Sequence, residues 1–168
     1  MAEKLNTWPS GTQVLDIGAG YGGSGRYLAR EKHYEVSCLN LSEVQNERNR
    51  GLTEEANLSG AVQVVYGNFE SLPFGEKSFD VVWAQDAILH SGNRKKVFEE
   101  VHRVLRPGGE FIFTDPMQKP GADAETLKPV LERIHLESMG SVECYGNYAR
   151  ELGMETIEVL QMPEQLVN

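Results

Sequence analysis

The segment Val14-Leu15-Asp16-Ile17-Gly18-Ala19-Gly20-Tyr21-Gly22-Gly23 decides the fold of this chain. Its apolar start predicts a buried strand at 13–17, and its glycines match G-x-G-x-x-G between a strand and a helix. Glycine is needed where a chain turns sharply or lets a ligand approach its backbone, and the following helix N-terminus favours polar or anionic groups. For this motif alone, a glycine-rich turn that binds nothing remains the alternative.

The rest of the sequence alternates strand-like apolar runs with segments of helical period. Further strands are predicted at 34–40, 62–66, 79–84, 110–114 and 155–160. Helices are predicted after the glycine turn to residue 32, at 42–58, around 97–105, at 129–139 and at 141–152. Ser42 and Gln45 have the spacing of a capping box, and Pro107-Gly108-Gly109 is expected to stop the third helix. This alternation predicts an α/β domain with a parallel sheet.

Length and composition favour one domain spanning residues 1–168. The 16 Lys and Arg residues against 25 Asp and Glu give a net charge of −9, which disfavours nucleic acid and anionic membranes and favours a small-molecule partner. No apolar run reaches the roughly 20 residues that a membrane span requires, and no signal core follows Met1, so we expect a soluble, cytoplasmic protein. Cys38 and Cys144 lack the spacing of a metal site or a disulfide, and we expect two reduced, buried thiols and no metal.

Polar and aromatic residues at three predicted strand ends indicate a ligand site. Asp16 ends the first strand, where a carboxylate attracts a cationic ligand and repels a dinucleotide pyrophosphate. Asn40 ends the second strand, where doubly wound folds usually place an acid against ribose hydroxyls. Asn68 and Phe69 follow the third strand with an amide and an aromatic ring. Because the carboxyl ends of parallel strands share one edge of a sheet, we expect these residues to line one site.

Four motifs in order resemble those of the class I S-adenosylmethionine-dependent methyltransferases. They are Val14-Leu15-Asp16-Ile17-Gly18-Ala19-Gly20, Leu72-Pro73-Phe74, Phe79-Asp80-Val81-Val82 and Val104-Leu105-Arg106-Pro107-Gly108-Gly109. The resemblance covers nearly the whole chain. It implies a Rossmann-like, doubly wound, mostly parallel sheet that binds S-adenosyl-L-methionine and releases S-adenosyl-L-homocysteine. Asn40 and Asn68 depart from the acids that are common at these positions in the superfamily.

A narrower resemblance is to the sarcosine and dimethylglycine N-methyltransferases of glycine betaine synthesis, which are similar to this chain at Asn40. It rests on Cys38-Leu39-Asn40-Leu41-Ser42 with Gln45-Asn46, on Trp83-Ala84-Gln85-Asp86-Ala87-Ile88-Leu89-His90-Ser91 and on Arg133-Ile134-His135-Leu136. The resemblance implies methyl transfer to a small amine such as sarcosine or dimethylglycine. Phosphoethanolamine N-methyltransferases share the Asp86-x-x-x-His90 arrangement and are the related alternative.

The resemblance also assigns the cofactor contacts to the strand ends. The expected cofactor-binding residues are Asp16, Gly18 and Gly20 for the methionine part, Asn40 and Leu41 for the ribose, Asn68 and Phe69 for the adenine, Gln85 for the sulfonium side, and Gln45, to which no part of the cofactor is assigned.

His90 is the candidate catalytic residue. Methyl transfer from a sulfonium is an in-line displacement that needs a neutral nucleophile, close alignment and a dry pocket. We expect His90, which follows Asp86 by four residues, to orient the substrate amine or remove its proton, because imidazole titrates near neutral pH. A surface or capping histidine is the alternative.

Other residues that could carry chemistry have simpler explanations. We expect His135 to be a partly buried structural histidine rather than a substrate ligand. Asp115 either meets the substrate or begins the loop after the fifth strand. Tyr145 and Tyr148 are expected to pack a helix face rather than to form an aromatic cage for a methylated ammonium.

Three functions remain open at this level. Similar enzymes carry a longer N-terminal region and more strands after the fifth, so we expect this chain to lack that lid and the last strand, with an exposed sheet edge that favours a homodimer. The first function is an N-methyltransferase, and the second is a truncated cofactor-binding core without independent activity. A nicotinamide dehydrogenase is the third, and Asn40 argues against it because an acid usually binds the ribose there.

Overall fold

A computed structural model describes residues 1–162 of the chain. Its strands are β1 (Gln13–Ile17), β2 (Glu35–Asn40), β3 (Val62–Tyr66), β4 (Phe79–Gln85) and β5 (Leu105–Thr114). Its helices are α1 (Gly23–Lys32), α2 (Glu43–Glu55), α3 (Arg94–Val104), α4 (Ala124–Ile134) and α5 (Val142–Glu151), with a 3₁₀ turn at Ile88–His90.

The strands of this part of the chain form one sheet in the order β3-β2-β1-β4-β5, and each neighbouring pair is parallel. The strand order reverses between β1 and β4, so the crevice outside their carboxyl ends is the place where such sheets bind ligands. The prediction of a Rossmann-like, doubly wound α/β fold is confirmed.

Two apolar layers cover the sheet, one on each face. Along β1, Val14 faces the layer that contains Leu28 of α1, whereas Leu15 and Ile17 face the layer that contains Phe98 of α3. All of these side chains are at most 1% exposed. Because burial of one such side chain stabilises a fold by about 1.5–3 kcal/mol, the alternation fixes which face of β1 meets which helix.

Several predicted boundaries differ from the structure. Strand β5 begins at Leu105 instead of residue 110, because the chain enters extended pairing directly after α3, with a register shift opposite residues 79–81 of β4. Helix α4 begins at Ala124 instead of residue 129, because the Asp123 carboxylate caps it by accepting a hydrogen bond from Thr126 N at 3.2 Å. Pro129 lies inside this helix.

The strand predicted at 155–160 is wrong. Residues 154–162 have no regular secondary structure, and Ile157 is 78% exposed. β-Branched residues favour a strand only where a neighbouring strand accepts their backbone hydrogen bonds and covers one face. Among the described residues, no strand pairs with this segment.

Two further observations bear on the kind of protein. Among helices α1–α5, all within residues 1–162, none has the length and apolar character needed to cross a lipid bilayer. In the same part of the chain, no three His, Cys, Asp or Glu side chains gather as a metal site would require.

Both cysteines are unpaired; Cys38 is buried, as predicted, but Cys144 is only half-buried.

Candidate functional site

The glycine turn connects β1 to α1 at the carboxyl edge of the sheet. Gly18, Gly20 and Gly22 have φ values of 71°, 52° and 72°, which L-residues with side chains rarely adopt. The N–H groups of Gly18 and Ala19 both donate to Leu39 O, at 2.9 and 3.0 Å, and tie the turn to β2. Gly22 is the N-cap of α1, and no side chain caps this helix, so its first N–H groups can meet a ligand.

The two glycines at the start of the turn have different surroundings. A Cβ atom on Gly18 would overlap the Ala87 side chain and would lie 4.0 Å from Cε1 of Phe69. A Cβ atom on Gly20 would meet no atom within 4 Å. Gly18 therefore lets three chain segments pack together, whereas Gly20 faces open space that a ligand can fill.

Asp16 lies two residues before this turn, on the face of the sheet that carries α1, and its Oδ2 atom is close to Gly25 of that helix. It is 2% exposed, and its Oδ2 atom has no hydrogen-bond partner among the described residues. Burial raises the pKa of the Asp16 carboxyl to about 7. A buried carboxylate oxygen without a donor destabilises a fold, so this position is suited to a ligand that brings a donor or a positive charge.

Asn40, Leu41 and Gln45 come together where β2 meets α2. Asn40 Nδ2 donates to Gln45 Oε1 at 2.8 Å, and Leu41 is 51% exposed. Ser42 Oγ accepts from Gln45 N at 3.4 Å, so the predicted N-cap is confirmed. The Gln45 side chain, however, contacts Asn40 instead of closing the capping box. The pair offers both donors and acceptors at the end of β2.

Asn68 and Phe69 lie in a turn after β3. Asn68 is exposed, and its Oδ1 atom accepts a hydrogen bond from Glu70 N at 2.8 Å. Phe69 is half-buried against the core, with one ring edge beside Gly18. The structure therefore brings Phe69 to the glycine turn and leaves Asn68 facing solvent.

The segment after this turn is held by charged residues of α3. Glu100 is 7% exposed, and its Oε2 atom accepts from Leu72 N at 2.8 Å. Arg103 donates to the same oxygen at 2.7 Å and to Leu72 O at 3.1 Å. The hydrogen bond from Arg103 holds the pKa of Glu100 below its usual value. Sequence reasoning missed this support, because it depends on contacts between distant parts of the chain.

Gln85 ends β4 and contacts the start of α1. Its Oε1 atom accepts a hydrogen bond from Ser24 Oγ at 3.0 Å, which leaves its Nε2 group as a donor at the exposed edge. The residue that follows, Asp86, has a φ of 50° and donates through its backbone N–H to Thr114 O at 2.9 Å. The chain thus turns sharply from β4 toward the segment that carries His90.

His90 is exposed in the 3₁₀ turn, and its position is set by contacts of its neighbour Leu89. Leu89 N donates to Asp115 Oδ1 at 3.0 Å, and Arg94 donates to Leu89 O at 2.9 Å. The other oxygen of Asp115 accepts from the Tyr145 hydroxyl at 2.5 Å. Burial raises the pKa of the Asp115 carboxyl and that of the Tyr145 phenol above their usual values. Asp115 therefore orders the turn before His90, a role that sequence reasoning missed.

The remaining sequence candidates lie apart from this arrangement or pack the core. The prediction of a partly buried His135 is wrong: α4 ends at His135 with a φ of 56°, and its side chain is exposed. Tyr145 stacks on Phe98 with ring centroids 5.5 Å apart, and Tyr148 packs on the same ring at 5.7 Å. The predicted packing role of both tyrosines is confirmed.

The fold and the strand-end site define a Rossmann-like cofactor-binding domain. A family model described as a methyltransferase domain matches residues 15–113, and the chain belongs to this family.

Longer proteins share most of this chain. A sarcosine/dimethylglycine N-methyltransferase of Aphanothece halophytica is 55% identical over 168 residues, which are 100% of this chain and 61% of that protein. The crystal structure of a candidate sarcosine dimethylglycine methyltransferase from Galdieria sulphuraria has a TM-score of 0.92 at 42% identity, covering 95% of this chain and 60% of that one. Phosphoethanolamine N-methyltransferase 2 of Haemonchus contortus, in complex with S-adenosyl-L-methionine, has a TM-score of 0.90 at 25% identity, covering 98% and 38%.

Alanine at Gly18 and at Gly20 should have unequal effects on stability. Both replacements place a side chain at positive φ, which costs about 1–2 kcal/mol. Gly18→Ala also forces a Cβ atom into Ala87, and such overpacking costs roughly 1–3 kcal/mol more. Urea unfolding followed by circular dichroism measures both losses. Equal losses for the two variants would show that Gly18 is not a packing constraint.

Asp16 should make the stability of the ligand-free domain fall as the pH rises. Its pKa is about 7 in the folded chain against an ordinary value of 3.8, so the folded state holds the proton more tightly between these pH values. The free energy of unfolding therefore decreases through this window and levels off above pH 7. Between pH 5 and pH 8, we expect the free energy of unfolding of Asp16→Asn to rise by roughly 2–3 kcal/mol relative to that of the wild type.

Urea unfolding at both pH values measures this difference. Glu54→Gln, the same change of acid to amide at an exposed position of α2, is the matched control and should keep the wild-type pH dependence. The same pH dependence of the free energy of unfolding in wild type and Asp16→Asn would contradict the raised pKa of Asp16.

Proposed function

We propose that this chain forms the cofactor-binding part of an S-adenosylmethionine-dependent N-methyltransferase that acts on a small amine such as sarcosine or dimethylglycine, as in betaine synthesis. One observation carries the proposal: the buried Asp16 carboxylate, two residues before an uncapped glycine turn, has an oxygen without a hydrogen-bond partner among the described residues. The similarity to the Aphanothece and Galdieria proteins, which are described as methyltransferases of sarcosine and dimethylglycine, supports the choice of amine. The chain spans about three fifths of the length of each of these two proteins.

The groups at the carboxyl edge suit this cofactor chemically. An amino-acid ammonium and a sulfonium are cationic, which fits the Asp16 carboxylate. Ribose hydroxyls both donate and accept, as do the linked amides of Asn40 and Gln45. An adenine ring suits the Phe69 ring and the amide of Asn68. A nicotinamide dinucleotide fits less well, because its pyrophosphate would meet the ionised form of Asp16 and its ribose would lack an acid partner.

The residues of this chain would hold and orient the reactants. S-adenosylmethionine, when bound, supplies an electrophilic methyl group on a positively charged sulfur. Asp16, Gly18 and Gly20 would hold its methionine part, and Gln85, the last residue of β4, would face its sulfonium side. An ammonium has no lone pair, so the substrate amine must lose its proton before it can attack. His90 would accept that proton or orient the amine.

Charge and composition support the choice of a small-molecule partner over nucleic acid, since a net charge of −9 repels phosphates. A single domain over residues 1–168 and a cytoplasmic location stay predictions. A phosphoethanolamine-type acceptor is the second candidate, favoured by the Asp86-x-x-x-His90 spacing and the similarity to the Haemonchus enzyme.

Methyl transfer from labelled S-adenosylmethionine to sarcosine, dimethylglycine and phosphoethanolamine tests the proposal. We expect transfer to sarcosine or dimethylglycine and a decrease of about 10²–10⁴-fold in the turnover of His90→Ala, the usual contribution of a positioned acid or base. His102→Ala, which removes an exposed histidine on α3, is the matched control and should keep full turnover.

Binding of S-adenosylhomocysteine measured in parallel separates the outcomes. Binding without turnover on any amine would identify a cofactor-binding core that needs further chain for activity. Unchanged turnover in His90→Ala would end its assignment as the catalytic residue. Transfer to phosphoethanolamine alone would favour the second candidate.

We also propose that the chain forms a homodimer through β5. This strand ends the sheet within residues 1–162 and pairs there with β4 alone, so its outer backbone groups can pair with a second copy. Sedimentation velocity over a range of concentrations should show a monomer–dimer equilibrium. A monomer at every concentration would contradict the proposal.

A further inference from the structure

We propose that Glu70 couples the cofactor site to the amine site, so that binding of the cofactor orders the loop that carries His90. The adenine segment is defined here as residues 68–70, and the amine loop as residues 86–93. This inference rests on the proposed function and adds a positioning residue to it.

The Glu70 side chain joins these two segments. Its Oε1 atom accepts hydrogen bonds from Ser91 Oγ at 2.6 Å and from Asn93 N at 3.2 Å. Ser91 is 5% exposed, and its hydroxyl also accepts from Asn93 N at 3.0 Å. Hydrogen bonds to a carboxylate are stronger than those between neutral groups. One oxygen therefore holds the amine loop on the side that follows His90.

The Glu70 backbone makes a separate contact, with Asn68. Its N–H group donates to Asn68 Oδ1 at 2.8 Å and closes the turn of the adenine segment. Because this bond uses the backbone, removal of the Glu70 side chain leaves the turn intact. The side-chain contact can thus be tested without removing a cofactor contact.

The other anchors of the amine loop come from the opposite side. Leu89 is held by Asp115 and Arg94, and Asp86 by the backbone of Thr114. These partners belong to β5, the residue after it and the start of α3, which form the scaffold. Among the described hydrogen bonds of the amine loop, those to Glu70 link it to the segment expected to meet the adenine ring. A ligand that orders Phe69 would therefore also order His90, because Glu70 is adjacent to Phe69 and its side chain binds Ser91, the residue after His90.

Coupling of this kind is reciprocal. If cofactor binding orders the amine loop, an ordered loop must raise the cofactor affinity by the same factor, and typical couplings are about 5–150-fold. A residue with only a structural role would change the loop equally with and without ligand. The difference between the two states is the quantity to measure.

Hydrogen–deuterium exchange of peptides covering residues 86–93, with and without saturating S-adenosylhomocysteine, tests the proposal. In wild type we expect the ligand to slow exchange in the loop by about fivefold or more, and in Glu70→Ala by less than about twofold. Glu70→Gln keeps an oxygen acceptor in place and should restore the protection. Glu99→Ala, which removes a half-buried glutamate of α3 paired with Lys96, is the matched control and should behave as wild type.

The outcomes separate this inference from the proposed function. If wild type does not bind S-adenosylhomocysteine, the proposed function fails, and the coupling fails with it. If Glu70→Ala binds the ligand and its loop is protected as strongly as in wild type, the coupling alone is wrong. Loss of protection in Glu70→Ala with recovery in Glu70→Gln supports it.

Discussion

The space next to Gly18 is filled by Ala87, and this contact requires a residue without a side chain at positive φ. The N–H of Gly18 donates to Leu39 O near the end of β2, Phe69 approaches the same position from the segment after β3, and Ala87 approaches it from the segment after β4. Three strand ends therefore converge on one glycine. The candidate cofactor residues are placed relative to this convergence, and the segment that carries His90 begins at it.

The site combines a stabilised frame with polar groups that lack partners. Asp115 and Glu100 are engaged by hydrogen bonds that fix loops, whereas the buried Oδ2 of Asp16 has no donor among the described residues. Folded proteins rarely leave a buried carboxylate oxygen unsatisfied, and positions where they do are commonly functional. The unsatisfied oxygen lies beside Gly25 of α1, the helix that follows the turn whose Gly20 faces open space. The unpaired Asp16 carboxylate thus destabilises the fold, and a bound cationic ligand would offset that loss.

The local pattern of apolar residues and glycines was sufficient to predict the bounds of two strands. The bounds of β1 and β3 agree with prediction, because each apolar run ends at a glycine; β1 is almost fully buried, whereas in β3 only Val62 is. The glycine turn and the strand-end positions of Asp16, Asn40 and Gln85 were also accessible to sequence reasoning. Contacts between residues far apart in the sequence could not be predicted in this way. The hydrogen bonds that Ser91 donates to Glu70 and that Tyr145 donates to Asp115 join residues 21 and 30 positions apart. The strand predicted at 155–160 failed because strand propensity cannot supply a pairing partner.

Calorimetric titration of the chain with S-adenosylhomocysteine and, separately, with NAD⁺ is the most direct test of the central claim that this edge of the sheet binds the methyltransferase cofactor. We expect saturable binding of one S-adenosylhomocysteine per chain and no binding heat with NAD⁺. Binding of NAD⁺ in preference to S-adenosylhomocysteine, or binding of neither, would contradict the claim.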